Sequence, residues 1–122
     1  MRRDPAETDR VTLEALAASV ARPVGRILVV ADFDGTLAEI NADPLAARPV
    51  PGALRALRRL ARIGTDRPGR LAIAVLTGRA VADIAGRVRV GGMRYLGNHG
   101  LEAGWLPRGQ RAERIVTTGS RD

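Results

Sequence analysis

Two uninterrupted apolar runs constrain this chain more than any other feature. Ile27-Leu28-Val29-Val30-Ala31 and Leu71-Ala72-Ile73-Ala74-Val75-Leu76 are short, rich in β-branched residues and free of polar alternation. Runs of this kind predict strands covered on both faces, as in a parallel sheet. The first ends directly at Asp32 and the second at Thr77. Parallel neighbours need a crossover between them, and the intervening segment supplies one. From Pro51 or Gly52 to Gly64, Leu54, Leu57, Leu60 and Ala61 fall on one side of a helix, with Arg55, Arg58, Arg59 and Arg62 opposite as a solvated face.

The rest of the chain extends the same alternation. Asp4-Pro5-Ala6-Glu7 has the order of a capped helix start, and Leu13, Leu16, Ala17 and Val20 continue it at helical spacing. Residues 38–51 hold three prolines and no period, which predicts a loop. Asp66-Arg67-Pro68-Gly69 reads as a turn. Val81, Ile84, Ala85 and Val88 share the face of a short helix on which Asp83 and Arg87 can pair outside, and Gly91-Gly92 breaks it. Arg94-Tyr95-Leu96 is a third strand leading into Gly97-Asn98-His99-Gly100. Beyond Trp105 the pattern fades; Ile115-Val116-Thr117-Thr118 is a strand candidate, and Trp105 is favoured as a core residue over a sugar platform. The organisation is therefore an N-terminal helix and linker (1–25), part of an α/β core (26–104) and a C-terminal tail (105–122). Alternating helices and strands predict a parallel sheet with flanking helices, here of three or four strands with one edge open.

Composition removes whole classes of chemistry. There is no cysteine, so neither disulfides nor thiolate metal sites nor a cysteine nucleophile is available. All 20 basic residues are arginine, which excludes lysine chemistry from this chain. The formal net charge of +7 could attract nucleic acid or an anionic substrate. Aromatics are only 2%, too few to stack bases, so nucleic acid is not the expected partner. No apolar run approaches the about 18 residues of a membrane span, and no apolar signal core follows Met1-Arg2-Arg3. The expected setting is cytoplasmic, without a membrane partner.

Ligands in open parallel sheets bind beyond the carboxyl ends of the strands. Three polar clusters belong there: Asp32 to Thr36, Thr77-Gly78-Arg79, and Asn98-His99. Asp32 can point into the crevice from the strand end, and a turn at Gly35 lets Asp34 swing to the same space. Two such carboxylates repel, so the arrangement calls for a cation or a shared proton. Mg²⁺ suits it, because it takes oxygen ligands and rests on one or two carboxylates plus a substrate phosphate. An ionised aspartate is an available nucleophile at neutral pH, and its neighbour can serve as acid and base if its pKa is raised. The bland alternative is that both aspartates cap the following loop.

The full run Asp32-Phe33-Asp34-Gly35-Thr36-Leu37 resembles the first motif of the haloacid dehalogenase-like hydrolases, and Leu76-Thr77-Gly78-Arg79 their second. Within that superfamily, Asp32 to Ile40, the loop from Asp43-Pro44 to Pro51-Gly52, and Tyr95-Leu96-Gly97-Asn98-His99-Gly100-Leu101-Glu102 are most similar to the trehalose-6-phosphate phosphatase family. The resemblance covers about residues 26–104 and implies part of a three-layer, Rossmann-like core without its cap domain. It implies that Asp32 attacks phosphorus and that Asp34 protonates the leaving sugar oxygen and then activates water. The Asp32 carboxylate and the Asp34 carbonyl would bind Mg²⁺. Thr36, Thr77, Gly78 and Arg79 would surround the phosphoryl group, with Asn98, His99 and Glu102 near the substrate. Arg79 could equally hold the loop or lie on a helix surface, and a turn role is the plainer reading of His99.

The same resemblance names what this stretch lacks. The family's third motif needs a lysine, its fourth an acidic pair on a later strand, and its sugar specificity a cap. One preorganised electrostatic contact is worth about 10²–10³ in rate, so the chain alone is expected to turn over little sugar phosphate. A complementary chain carrying the remaining core is the partner this implies.

Overall fold

The computed structural model describes residues 25–119, together with Glu14, Ala15 and Ala18. The N-terminal helix expected from Asp4 to Val20 therefore falls largely outside the described residues.

Each apolar run forms the strand its composition predicts. β1 spans Ile27–Asp32 and β2 spans Leu71–Leu76, paired in parallel from Ile27↔Leu71 to Asp32↔Leu76. Between them α1 covers Pro51–Asp66, two residues beyond the expected stop at Gly64. Pro51 at its first turn has no N–H to leave unsatisfied. Leu57 and Ala61 are buried on β2, and the four arginines of the opposite face are exposed. α2 (Val81–Val88) buries Val81, Ile84, Ala85 and Val88, all four of the expected face, and stops where Arg89 turns left-handed at φ 56°. β3 (Met93–Gly97) continues the parallel set beside β2.

The remaining strands depart from the expected topology. β4 (Glu102–Leu106) runs antiparallel to β3, and β5 (Val116–Gly119) antiparallel to β4. The result is one mixed five-stranded sheet in the order β1-β2-β3-β4-β5, with the expected parallel part in β1 to β3 followed by two antiparallel strands, five in all against the three or four expected. The reason is local. Asn98 and His99 both adopt left-handed φ, 49° and 57°, so the chain reverses within a single short turn and cannot cross over.

Both crossovers step the same way along the sheet. Right-handed connections of that kind lay α1 and α2 on one face. Register makes the two faces explicit. Ala31, Val75, Tyr95 and Gly104 form a row toward the helices, and Val30, Ala74, Arg94, Trp105 and Val116 a row away from them. Tyr95 is fully buried in the first row, together with Phe33, Ile84, Met93 and Leu106. In the second row Trp105 is 41% exposed rather than in the core, and the Arg94 guanidinium lies 5.7 Å from its ring. On β1, the edge strand, Leu28 is 63% and Val30 46% exposed. Among the described residues β1 and β5 end the sheet without a further neighbour, and β1 is the edge that carries Asp32.

Candidate active site

The carboxyl ends of β1, β2 and β3 carry the three polar clusters anticipated from the sequence. Alternation along β1 puts Asp32 on the same side as Leu28 and Val30, exposed at the open edge. Among the described residues its carboxylate makes no hydrogen bond or ion pair, although its backbone belongs to the β1–β2 ladder. The chain then folds back on itself. Thr36, Leu37 and Ala38 all donate N–H to the Phe33 carbonyl, and Gly35, at φ 83°, donates to the carbonyl of Ala38. That tight loop buries Phe33 and Leu37 and leaves the Asp34 and Thr36 side chains outside. None of the loop's hydrogen bonds takes the Asp34 carbonyl.

From the next strand, Arg79 reaches across to Asp34. Its Nη2 lies 2.9 Å from Oδ1 and its Nε 3.2 Å from Oδ2, a two-pronged ion pair. The guanidinium stands 5.5 Å from the Phe33 ring, and its third nitrogen, Nη1, approaches Asp83 at 3.6 Å. The Arg79 side chain is only 12% exposed, so the helix-surface reading does not hold; it bridges two loops. The hydrogen bonds from Arg79 hold the Asp34 carboxyl below the usual aspartate range, outweighing the opposite effect of partial burial. This direction is opposite to the raised value that acid catalysis asks of Asp34. In turn, Asp34 pushes the Arg79 pKa up.

Thr77 is a buried hub. Its N–H donates to the Leu96 carbonyl, its Oγ1 accepts from the Arg79 N–H at 3.1 Å, and its carbonyl accepts from the His99 N–H. The Arg79 carbonyl accepts from the Asn98 N–H. The second and third clusters are therefore laced together by backbone bonds. His99 lies directly over Gly78: a Cβ there would meet the ring Cε1 at 2.6 Å. His99 sits in the turn after β3, and its ring closes over this junction.

Glu102 is tied to α2. Its Oε1 accepts from the Val81 N–H at 2.8 Å, capping the first turn of α2 from across the sheet. Spacing gives no sign of this bond, because helix and strand are 21 residues apart. Sequence reasoning also missed the loop anchor made by Arg48 and Arg87, which both donate to the carbonyls of Leu45 and Ala47.

Among the described residues no cluster of three or more His, Asp or Glu side chains converges. Asp32 and the free Asp34 carbonyl are nevertheless oxygen donors of the type Mg²⁺ takes, and they leave most of its shell to water and substrate. The donor set fits the metal in kind and supplies part of it.

This geometry can be set beside known proteins. A sequence profile of the family described as Trehalose-phosphatase matches residues 30–118. The chain belongs to the trehalose-phosphatase family. Trehalose-phosphate phosphatase of Mycobacterium avium (strain 104) is 54% identical over 71 residues, covering 58% of this chain and 16% of that protein. The Mycobacterium ulcerans (strain Agy99) protein of the same name is 43% identical over 90 residues, 74% of this chain and 21% of its own. The structure of Aspergillus fumigatus trehalose-6-phosphate phosphatase superposes with a TM-score of 0.65 at 27% identity, over 86% of this chain and 35% of that one. This trehalose-phosphatase chain thus spans about a fifth or less of the curated relatives it matches. All three polar strand ends of this family member, Asp32–Thr36, Thr77–Arg79 and Asn98–His99, fall inside the matched region.

Proposed function

We propose that this chain carries the nucleophile half of a trehalose-6-phosphate phosphatase-like site, acting on a sugar phosphomonoester. Family membership and the Arg79–Asp34 grip two residues beyond Asp32 support the reading, and the grip carries it. In it, the Asp32 carboxylate attacks phosphorus while the sugar–oxygen bond to phosphorus breaks and Asp34 gives its proton to the leaving oxygen. Water, deprotonated by Asp34, then attacks the aspartyl-phosphate, which releases phosphate and restores Asp32. Pairing with Arg79 keeps Asp34 ionised, the state that serves the second half. Acid duty in the first half requires Arg79 to loosen. The Thr77 hydroxyl has its proton left to donate to a phosphoryl oxygen, and we assign Thr36, Gly78 and Asn98 to the same phosphate site. Mg²⁺ held by the Asp32 carboxylate and the Asp34 carbonyl would supply neutralisation of phosphoryl charge. The setting we assign is cytoplasmic, where phosphorylated sugars are retained.

This chain holds no lysine, so a family-type lysine contact to the phosphoryl group has to come from another segment or chain. The exposed Leu28 and Val30 on edge strand β1 favour a docking role toward such a complement. The test is phosphate release from trehalose 6-phosphate and a panel of other sugar phosphates, with Mg²⁺. The chain is assayed alone and mixed with the downstream part of the M. avium relative. Little release alone, gain on mixing, and loss of that gain in Asp32→Asn support the proposal. A mixture that associates but hydrolyses none of the panel would sink it in favour of a purely non-catalytic module. Preference for another sugar phosphate would move the assignment to a different phosphatase of the superfamily.

A further inference from the structure

The helical side of the sheet, away from the open face, carries a second concentration of charge. A cleft of about 640 Å³ lies between α2 and the 43–48 loop, with Arg48, Arg87 and Arg89 on its walls. A smaller one of about 210 Å³ adjoins it, sharing Arg89 and adding Arg58, Arg62 and Arg108. Asp83 is the acidic side chain lining the pair of clefts, and it is already engaged by Arg87 at 2.7 Å and by Arg79 at 3.6 Å. Arg108 faces Asp66 at 3.6 Å. Among the described residues no carboxylate lies within ion-pair distance of Arg48, Arg58, Arg62 or Arg89.

Two of these guanidiniums are held side by side. Arg48 Nη1 donates to the carbonyls of Leu45 and Ala47 at 3.0 and 2.9 Å, and Arg87 Nη1 donates to the same two at 3.1 and 2.7 Å. Like charges fixed on one pair of acceptors repel, and an anion between them relieves the repulsion. Each guanidinium keeps donors beyond those bonds, in the planar fork that matches phosphate oxygens.

We propose that the paired clefts bind a small molecule bearing two or more phosphate groups, one held by Arg48, Arg87 and Arg89, another by Arg58, Arg62 and Arg108. No aromatic side chain lines either cleft to stack a base, which favours this class over single-stranded nucleic acid. The site is separate from the strand-end residues, so it stands whether or not the phosphatase reading does.

Isothermal titration of the whole chain with tripolyphosphate in low-salt buffer tests it. The expected result is saturable binding of one molecule per chain. The double variant Arg48→Lys/Arg89→Lys keeps the charge but loses the fork geometry, and should bind about tenfold more weakly. Arg55→Gln/Arg59→Gln, which removes more charge from outside the clefts, should weaken binding less than about threefold. Arg87 is left intact because it is also paired with Asp83, as Arg48 and Arg89 are not. Circular dichroism verifies that each variant is folded. Equal weakening by both pairs would reduce the effect to general charge attraction and overturn the proposal. So would an absence of saturation at millimolar ligand. Tighter binding of a single-stranded oligonucleotide of matched charge, competing with tripolyphosphate, would also overturn it and assign the surface to nucleic acid instead.

Discussion

Arg79 and Asp34 meet through two parallel hydrogen bonds, 2.9 and 3.2 Å long, although 45 residues separate them in sequence. The pair ties the loop after β1 to the loop after β2. The Asp34 side chain is 46% exposed, so solvent screens the attraction and its value is modest. A double-mutant cycle of Arg79→Met and Asp34→Asn, followed by urea denaturation, should give a coupling energy of about 1 kcal/mol. Arg79→Lys should recover less than half of it, because an ammonium cannot make the two-pronged contact. A coupling near zero would mean that the two loops are held by backbone bonds alone.

Tyr95 offers a cleaner pH signal. Its hydroxyl donates to the Val90 carbonyl at 2.6 Å and accepts from the Val90 N–H at 3.0 Å, in a fully buried position. Burial pushes its pKa to about 12, with the Val90 hydrogen bond opposing. Its ordinary value is about 10. A folded value above the unfolded one means that the stabilisation is complete below pH 10 and is lost as pH rises from about 10 to about 12. This is the chain's one tyrosine, so phenolate absorbance reports it alone. Ionisation should be shifted up in the folded chain and return to the ordinary value in denaturant. Tyr95→Phe leaves both Val90 groups without their partner and should cost about 1–3 kcal/mol.

Gly78 and His99 form a testable steric pair. A methyl at position 78 would collide with the imidazole, so Gly78→Ala should destabilise the fold by about 1–3 kcal/mol. Removing the ring with His99→Ala in the same chain should recover most of that loss. Simple additivity of the two substitutions in thermal unfolding would show that the ring is not what forbids a side chain there.

Glu102 should behave as a helix cap. Glu102→Ala leaves the Val81 N–H without its acceptor and should cost about 1 kcal/mol. Glu102→Gln retains an acceptor and should cost less than half as much. If both variants match the wild type in chemical denaturation, the capping assignment is wrong.

How far the sequence could be read depended on range. β1, β2 and α2 were legible because each writes its burial into consecutive or helically spaced residues, and all four apolar positions of α2 are buried as their spacing required. β4 was not, since Glu102-Ala103-Gly104-Trp105-Leu106 lacks β-branched residues and follows a reversal built on left-handed Asn98 and His99. Trp105, a tryptophan in a chain with so few aromatics, reads as a core residue. Its register opposite Arg94 puts it on the outer face. The strand-end clusters could be anticipated from topology alone. Which carboxylate Arg79 would grip, and that Glu102 would turn to α2, are long-range facts that no local spacing encodes.

β1 is at once the edge of the sheet and the support of Asp32. A protein usually keeps its assembly seams and its reactive groups apart. Whatever pairs with β1 arrives within reach of Asp32, the nucleophile of our proposal, so under that proposal a neighbour along the seam would share in the chemistry. Association at this edge would work as a coincidence detector, in which reactivity requires both parties to be present and in register.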